Sequence, residues 1–202
     1  MVTARAKKHL TSADPVMAKL IGRFSVHTPR PRNDSFRFLT EIIIEQQLSG
    51  KAAATIHGRF LRAVGKKAYT PGDVLRTPTR KLRAAGISGA KVRYIQQLAH
   101  AVVSRKVYLP QLRTLSDAEI ITELIKLSGI GQWSAEMYLL FALGRKDVFS
   151  VGDGGLQRAV QTQYRLRSSP DAVTMLKIAE PWKPYRSLAS LYLWASLDQK
   201  EK

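Results

Sequence analysis

The sequence LSGIGQWSA at residues 127–135 lies between two stretches of helical periodicity. Ahead of it, Ser116 and Glu119 are spaced as a capping box, and apolar residues then recur every three or four positions through residues 120–127. Behind it, apolar residues at 133–143 follow the same period. Two glycines separated by one residue favour positive φ and close backbone approach, so the chain is predicted to turn sharply between two helices.

This turn has the features of an anion site. The second helix begins at the turn, so its first N–H groups and the positive end of its dipole point outward, and glycine has no Cβ that would keep a phosphate away. A short turn between two packed helices, with no ligand, is the alternative interpretation. The candidate anion-binding residues are Gly129, Ile130, Gly131, Gln132 and Ser134.

A second feature follows the turn, the sequence DVFSVGDGG at residues 147–155. Glycines on both sides of Asp153 leave its carboxylate open to close approach. Aspartate is also a preferred helix N-cap, so Asp153 can begin the next helix and present a charge at the same time. We expect Asp147, at the start of this loop, to be structural.

The hairpin followed by this loop resembles the helix-hairpin-helix base excision DNA glycosylases. Within them it is most similar to the alkylation-repair branch, the bacterial inducible 3-methyladenine DNA glycosylases and their yeast counterparts. The resemblance covers roughly residues 15–198, with Gln46-Gln47, the hairpin, Asp153 and residues 182–187 as its anchors. It implies two helical lobes with a cleft between them, in which the termini pack together as one lobe and the middle of the chain forms the other.

The chain carries no convincing alternation of apolar and polar residues, so no sheet is required and the fold class is all-α. We expect one glycosylase domain over residues 1–202. Residues at about 35–110, the terminal segments and residues 111–198 are expected to contribute to its two helical lobes. Residues 1–13 are basic and expected to be flexible. Larger bacterial members of the family carry an extra N-terminal mixed domain for which we expect no room in these 202 residues, and we expect any base contact from that domain to be absent or replaced.

The composition favours a polyanionic partner. The 202 residues include 33 Lys and Arg against 15 Asp and Glu, a formal charge of +18, which points to double-stranded DNA. No apolar run is long enough to span a bilayer, and the first residues lack the apolar core of a signal peptide. We therefore expect an intracellular monomer that is not secreted and has no membrane partner, cytoplasmic and associated with the nucleoid if the source is bacterial.

The residue inventory also limits the cofactors. The chain contains no cysteine, which excludes disulfides, thiol catalysis and a Cys-ligated iron–sulfur cluster, so relatives with a four-cysteine cluster are poor matches. The four histidines show no paired ligand spacing, and no zinc is expected. In the resembling family, hairpin carbonyls hold a monovalent cation, Na⁺ or K⁺; here these would be Ile125, Leu127 and Ile130.

The resemblance assigns roles to individual positions. Asp153 stands at the family's catalytic position, where a carboxylate stabilises positive charge on the deoxyribose and orients water. Trp133 stands where bifunctional members carry a lysine that forms a Schiff base, so we expect a monofunctional enzyme that uses water. Trp133 can instead stack on an extruded base, although helical periodicity alone fits a core aromatic equally well. The other candidate pocket residues are Trp194, Met137 and Tyr185.

The turn at residues 46–49 resembles the family's wedge loop, which fills the gap that an extruded nucleotide leaves in the duplex. Gln47 and Leu48 are the candidate wedge residues, Ser49 is a further DNA contact, and Gln46 is expected to brace the turn. An ordinary interruption between two helices is the alternative.

Together these features predict a monofunctional glycosylase for alkylated purines, with 3-methyladenine the leading substrate and 7-methylguanine second, acting in base excision repair. A glycosylase for neutral lesions such as hypoxanthine or ethenoadenine is one alternative. A non-catalytic protein that uses the hairpin as a DNA clamp is the other.

Overall fold

A computed structural model describes residues 2–198, and all regular secondary structure in this range is helical, which confirms the all-α class. A 3₁₀ turn covers Leu109–Thr114, another covers Glu180–Trp182, and a π-helical turn covers Tyr138–Ala142. The α-helices are α1 Val2–Ala13, α2 Pro15–Arg23, α3 Ser35–Glu45, α4 Gly50–Val64, α5 Pro71–Arg76, α6 Thr79–Ala84, α7 Gly89–Val103, α8 Asp117–Ile125, α9 Gln132–Met137, α10 Gly154–Gln163, α11 Ala172–Ala179 and α12 Arg186–Asp198.

The chain divides into two compact units. The terminal unit contains the residues up to Pro31 together with those from Leu139 onward, and the central unit contains Arg32–Tyr138. The second boundary between the units therefore lies at Tyr138. None of the helices within residues 2–198 combines the length and the apolar character that a membrane crossing requires.

Helix α1 corrects the expectation that residues 1–13 are flexible. Ala6 and Leu10 are 3% and 0% exposed, and they belong to the apolar core of the terminal unit. The basic residues of this segment obscured that interior contact in the sequence, because two buried positions one helical turn apart are a weak periodic signal. Residue 1 lies outside the described range.

A buried carboxylate ties three segments of the terminal unit together. Asp14 caps α2, where its Oδ1 accepts the N–H of Val16 at 2.7 Å. Its Oδ2 accepts the Trp182 Nε1–H at 2.9 Å and the Tyr164 hydroxyl. Burial and the neighbouring carboxylate raise the pKa of the Tyr164 hydroxyl, which stays a proton donor. Trp182 is fully buried.

The central unit is built around α3 and α7. Helix α7 packs against α3, α5 and α6, and it buries Val92, Ile95 and Leu98. Capping boxes begin two of the surrounding helices, Thr70 with Asp73 at α5 and Ser116 with Glu119 at α8. The capping box predicted at Ser116 is thus confirmed, and it places the start of α8 two turns ahead of the hairpin.

Candidate functional site

The two hairpin glycines have different structural roles. Gly129 has a φ of +84°, and a Cβ placed on it would lie 2.4 Å from the Tyr94 ring of α7. Gly131 has a φ of −101° with an extended ψ, and nothing lies within 4 Å of the position of its Cβ. Positive φ was expected at both glycines, but only Gly129 needs it. Gly129 makes the turn possible, whereas Gly131 leaves open space in front of α9.

Burial limits what two of the candidate hairpin residues can offer a ligand. Ile130 and Ser134 are 4% and 3% exposed, so their side chains support the hairpin from inside and can offer a ligand only their backbone. Gln132 is exposed, and its side-chain amide donates to Glu136 Oε1 at 2.8 Å. Spacing did not distinguish these positions, because all three lie in the glycine-rich turn or in the first turn of α9.

Gln46 connects the turn at residues 46–49, the wedge turn, to the hairpin. Its Nε2 donates to the Gly129 carbonyl at 2.7 Å and to Ser134 Oγ at 3.2 Å. The Lys91 ammonium of α7 donates to the carbonyls of Ile44 and Gln46 at 2.8 and 2.6 Å, and burial lowers its pKa. Wedge turn and hairpin are therefore hydrogen-bonded parts of one assembly, and Gln46 has the bracing position expected of it.

The candidate wedge residues lie at the surface of this assembly. Gln47 is exposed and has a φ of +57°, which is uncommon for a residue with a Cβ. Leu48 is half-buried, and its N–H donates to the Glu45 carbonyl at 3.1 Å. Ser49 is exposed at the N-cap of α4. The backbone turns Gln47 outward at an energetic cost, and such costs are typical of functional turns.

In the terminal unit, Asp153 combines two hydrogen bonds on one carboxylate oxygen. Its Oδ1 accepts the Leu156 N–H at 2.7 Å, which makes Asp153 the N-cap of α10, and it accepts the Trp194 Nε1–H at 2.9 Å. The Trp194 ring stacks on Phe141 with a centroid distance of 5.9 Å. The N-cap and the indole together fix the carboxylate's orientation.

The hydrogen bond from Trp194 to Asp153 was missed at the sequence level. The two residues are far apart in the chain, and an aromatic residue among apolar neighbours predicted only a wall for a pocket. Gly155 is the nearby residue whose type reflects this contact, because a Cβ on it would lie 3.2 Å from the Trp194 ring. The carboxylate of Asp147 forms a bidentate ion pair with Arg186 at 2.7 and 2.9 Å, the structural role expected of it.

The remaining pocket candidates do not share one environment. Trp133 is 37% exposed, which argues against the core interpretation, whereas Met137 is 4% exposed and belongs to the packed interior. Tyr185 packs edge-on against His9 at 5.4 Å and lines a cavity of about 230 Å³ with Leu140 and Leu188. Of the predicted pocket residues in the terminal unit, Trp194 contacts Asp153 and Tyr185 lines this other cavity.

Comparison with known proteins identifies the family to which this chain belongs. Residues 40–184 match the family model described as "HhH-GPD superfamily base excision DNA repair protein". The crystal structure of a DNA-3-methyladenine glycosidase from Bacillus halodurans is 36% identical, with a TM-score of 0.81 over 96% of this chain and 89% of that one.

Two proteins of Schizosaccharomyces pombe are similar over nearly their whole length. The 3-methyladenine DNA glycosylase Mag1, solved in complex with abasic DNA, is 28% identical, with a TM-score of 0.87 over 98% of this chain and 100% of that one. The alkylbase DNA glycosidase-like protein mag2 is 29% identical over 195 residues, which are 94% of this chain and 92% of the other.

Proposed function

The chain belongs to the HhH-GPD superfamily of base excision DNA repair proteins, and from this premise we propose that it is a monofunctional glycosylase for alkylated purines. Its proposed substrates are 3-methyladenine and, second, 7-methylguanine in double-stranded DNA, on which it acts as a monomer. The names of its relatives support the substrate class. The observation that carries the proposal is Asp153, held by an N-cap and an indole hydrogen bond.

In this reaction the bond between the purine nitrogen and C1′ breaks, and the oxygen of a water molecule bonds to C1′. Positive charge develops on the deoxyribose as the base departs, so a fixed carboxylate stabilises the transition state electrostatically and can accept the water's proton. An alkylated purine is already cationic and leaves as a neutral base. The enzyme then needs charge stabilisation and discrimination more than a strong general acid.

Trp194 is a positioning residue in this mechanism. Its N–H holds Asp153 Oδ1 at 2.9 Å, and its ring is itself held by stacking on Phe141. A carboxylate fixed from two directions needs no reorganisation when charge develops next to it, which is the condition under which such groups contribute most to catalysis.

The hairpin and the wedge turn are the proposed DNA-binding elements. Gly131 leaves room for a phosphate in front of the first N–H groups of α9. Gln47 and Leu48 are proposed to fill the gap in the duplex, and the exposure of Gln47 supports this. The carbonyls of Ile125, Leu127 and Ile130 remain the proposed ligands of a monovalent cation. Leu127 O already accepts the Ile130 N–H at 3.0 Å, which leaves one lone pair for an ion.

The test of this function is base release. Purified protein incubated with methylated duplex DNA should release 3-methyladenine, identified by chromatography, and should leave an uncut strand until alkali is added. Borohydride should trap no covalent adduct, because Trp133 replaces the Schiff-base lysine and the Lys91 ammonium is held by two carbonyls. Efficient trapping would assign the chain to the bifunctional branch instead.

The same assay separates the alternatives. Release of hypoxanthine or ethenoadenine in preference to the cationic bases would show a glycosylase for neutral lesions. Tight duplex binding with no release of any base would show a DNA clamp without catalysis. Asp153 argues against the clamp, since a hairpin that only binds DNA gains nothing from a carboxylate with two hydrogen-bond donors on one oxygen.

Trp133→Ala tests whether this exposed indole contacts the base. We expect excision of cationic lesions to fall about tenfold more than excision of neutral ones, because cation–π attraction adds about 1–2 kcal/mol to stacking in a desolvated pocket. Gln47→Ala combined with Leu48→Ala is the comparison, and it should slow all substrates by a similar factor, since opening the duplex costs the same for each. Unchanged lesion preference in Trp133→Ala would remove Trp133 from the proposed pocket.

A further inference from the structure

Three arginines converge on the turn between α6 and α7 in the central unit. Arg59 comes from α4, Arg83 from α6 and Arg93 from α7, and all three are exposed. A Cβ placed on Gly89 would lie 3.2 Å from Arg83 Nη1 and 3.8 Å from Arg93 Nη1. The two guanidinium groups therefore lie within 4 Å of the same point. Arg59 Nη1 lies 3.9 Å from the equivalent position on Gly86, in the same turn.

The charges of this arginine cluster are not balanced by acidic neighbours. Arg83 Nη1 donates a hydrogen bond to the Ile87 carbonyl at 3.3 Å. Within residues 2–198, no carboxylate forms an ion pair with any of the three arginines. By contrast, Arg32 and Arg76 of the same unit each pair with a carboxylate. Like charges brought together without a counter-charge repel each other, and a bound anion relieves that repulsion.

The backbone beside the cluster is also suited to an anion. Helix α7 begins at Gly89 and runs for 15 residues, so its first N–H groups and dipole add positive potential at the turn. The absence of a Cβ at Gly89 keeps the space between Arg83 and Arg93 open. Guanidinium groups donate in a planar fork that matches phosphate oxygens, and this spacing allows one phosphate to accept from both.

The position of the cluster connects it to the proposed DNA-binding elements. Two other residues of α7 reach them directly, Lys91 through the Gln46 carbonyl of the wedge turn and Tyr94 through its ring against Gly129. Arg93 lies between these two in the sequence, and its side chain leaves the helix about 100° around the axis from that of Tyr94. One arginine of the cluster therefore lies on the helix that also contacts the wedge turn and the hairpin.

We propose that Arg59, Arg83 and Arg93 form a second phosphate-binding site, which takes a backbone phosphate of duplex DNA away from the hairpin. This rests on the proposed function, because it takes DNA as the polyanion. A phosphate contact positions the duplex and carries no base information. The site therefore contributes to affinity for every duplex, damaged or not, and leaves the rate of bond cleavage in the bound complex unchanged.

The experiment measures binding of an undamaged duplex by fluorescence anisotropy over a series of salt concentrations. The double variant Arg83→Gln with Arg93→Gln should bind about tenfold more weakly, and the slope of log K against log salt should become shallower by about 1 for each phosphate that the variant no longer neutralises. Arg83→Lys with Arg93→Lys keeps both charges, so it should retain the slope and bind only slightly more weakly. Single-turnover excision at saturating protein should match the unsubstituted chain for both variants.

The matched control removes the same charge elsewhere. Arg167→Gln with Lys177→Gln changes two exposed side chains of the terminal unit, and it should leave the salt slope unchanged. An Arg83/Arg93 variant with the affinity and slope of the unsubstituted chain, or with a decrease equal to that of the control, would overturn the proposal. Failure of the glycosylase function is separable, because it would appear as absent base release while these binding measurements still report on the cluster.

Discussion

Asp153→Asn is expected to lower the rate of base release on the order of 100-fold or more, while binding to abasic-site DNA stays nearly unchanged. The reason is electrostatic. The variant lacks the fixed negative charge next to a developing positive charge, and removal of one preorganised electrostatic group typically costs roughly 100- to 1,000-fold in rate. The measurement is single-turnover release of 3-methyladenine at saturating protein.

Asp153→Asn tests the negative charge alone, because asparagine can keep the N-cap and both hydrogen bonds of this position. Asparagine is as good an N-cap as aspartate, and its Oδ1 can accept the same two hydrogen bonds from Leu156 N and Trp194 Nε1. Asp153→Ala removes the cap as well and should also lower the free energy of unfolding by about 0.5–2 kcal/mol. Base release by Asp153→Asn at the rate of the unsubstituted chain would refute the catalytic assignment.

Trp194→Phe separates positioning from packing at the same carboxylate. Phenylalanine keeps an aromatic ring to stack on Phe141 and lacks the N–H that holds Asp153 at 2.9 Å. The expected result is a slower bond-cleavage step with little change in the affinity for abasic-site DNA, and the effect should vanish when Asp153 is already Asn. An equal effect of Trp194→Phe in both backgrounds would mean that Trp194 acts independently of the carboxylate.

Gly129→Ala is expected to destabilise the central unit by about 2–5 kcal/mol. A side chain at a φ of +84° costs about 1–3 kcal/mol, and its Cβ would lie 2.4 Å from the Tyr94 ring, so the ring or the hairpin must move at a similar further cost. The measurement is hydrogen exchange of the amides in α8 and α9, whose protection should decrease.

Gly131→Ala is the matched control for this substitution. Its φ of −101° is open to alanine, and nothing lies within 4 Å of the new Cβ. Amide protection should therefore be unchanged or slightly increased. DNA binding should weaken by a similar factor for all duplexes, because the methyl group stands where a phosphate is proposed to approach. Decreased protection in Gly131→Ala, or unchanged protection in Gly129→Ala, would contradict this division of roles.

The sequence predicted the fold wherever local chemistry decided it. The capping box at Ser116 and the positive φ of Gly129 both follow from local residue preferences, and the structure has each of them. Helix α1 was not predicted, because the burial of Ala6 and Leu10 depends on the core of the terminal unit, to which segments far along the chain contribute.

The same distinction holds for the candidate site. Asp153 and Gln46 were identified because their types and positions match a motif. The partners that orient them, Trp194 and Lys91, come from distant helices, and no local pattern indicates which distant indole or ammonium will meet them. The burial of Ile130 and Ser134 was not predicted for the same reason, since burial is a property of the folded assembly.

The division of the chain bears on the order in which it can fold during synthesis. The central unit is one continuous segment, Arg32–Tyr138, so it can complete its core while the ribosome is still making the remainder. Helices α1 and α2 are made before the central unit, whereas their core partners Trp182 and Leu188 are made after it. The apolar face formed by Met17 and Leu20 therefore stays exposed until these partners have been synthesised. It is the segment that a chaperone would shield on the nascent chain.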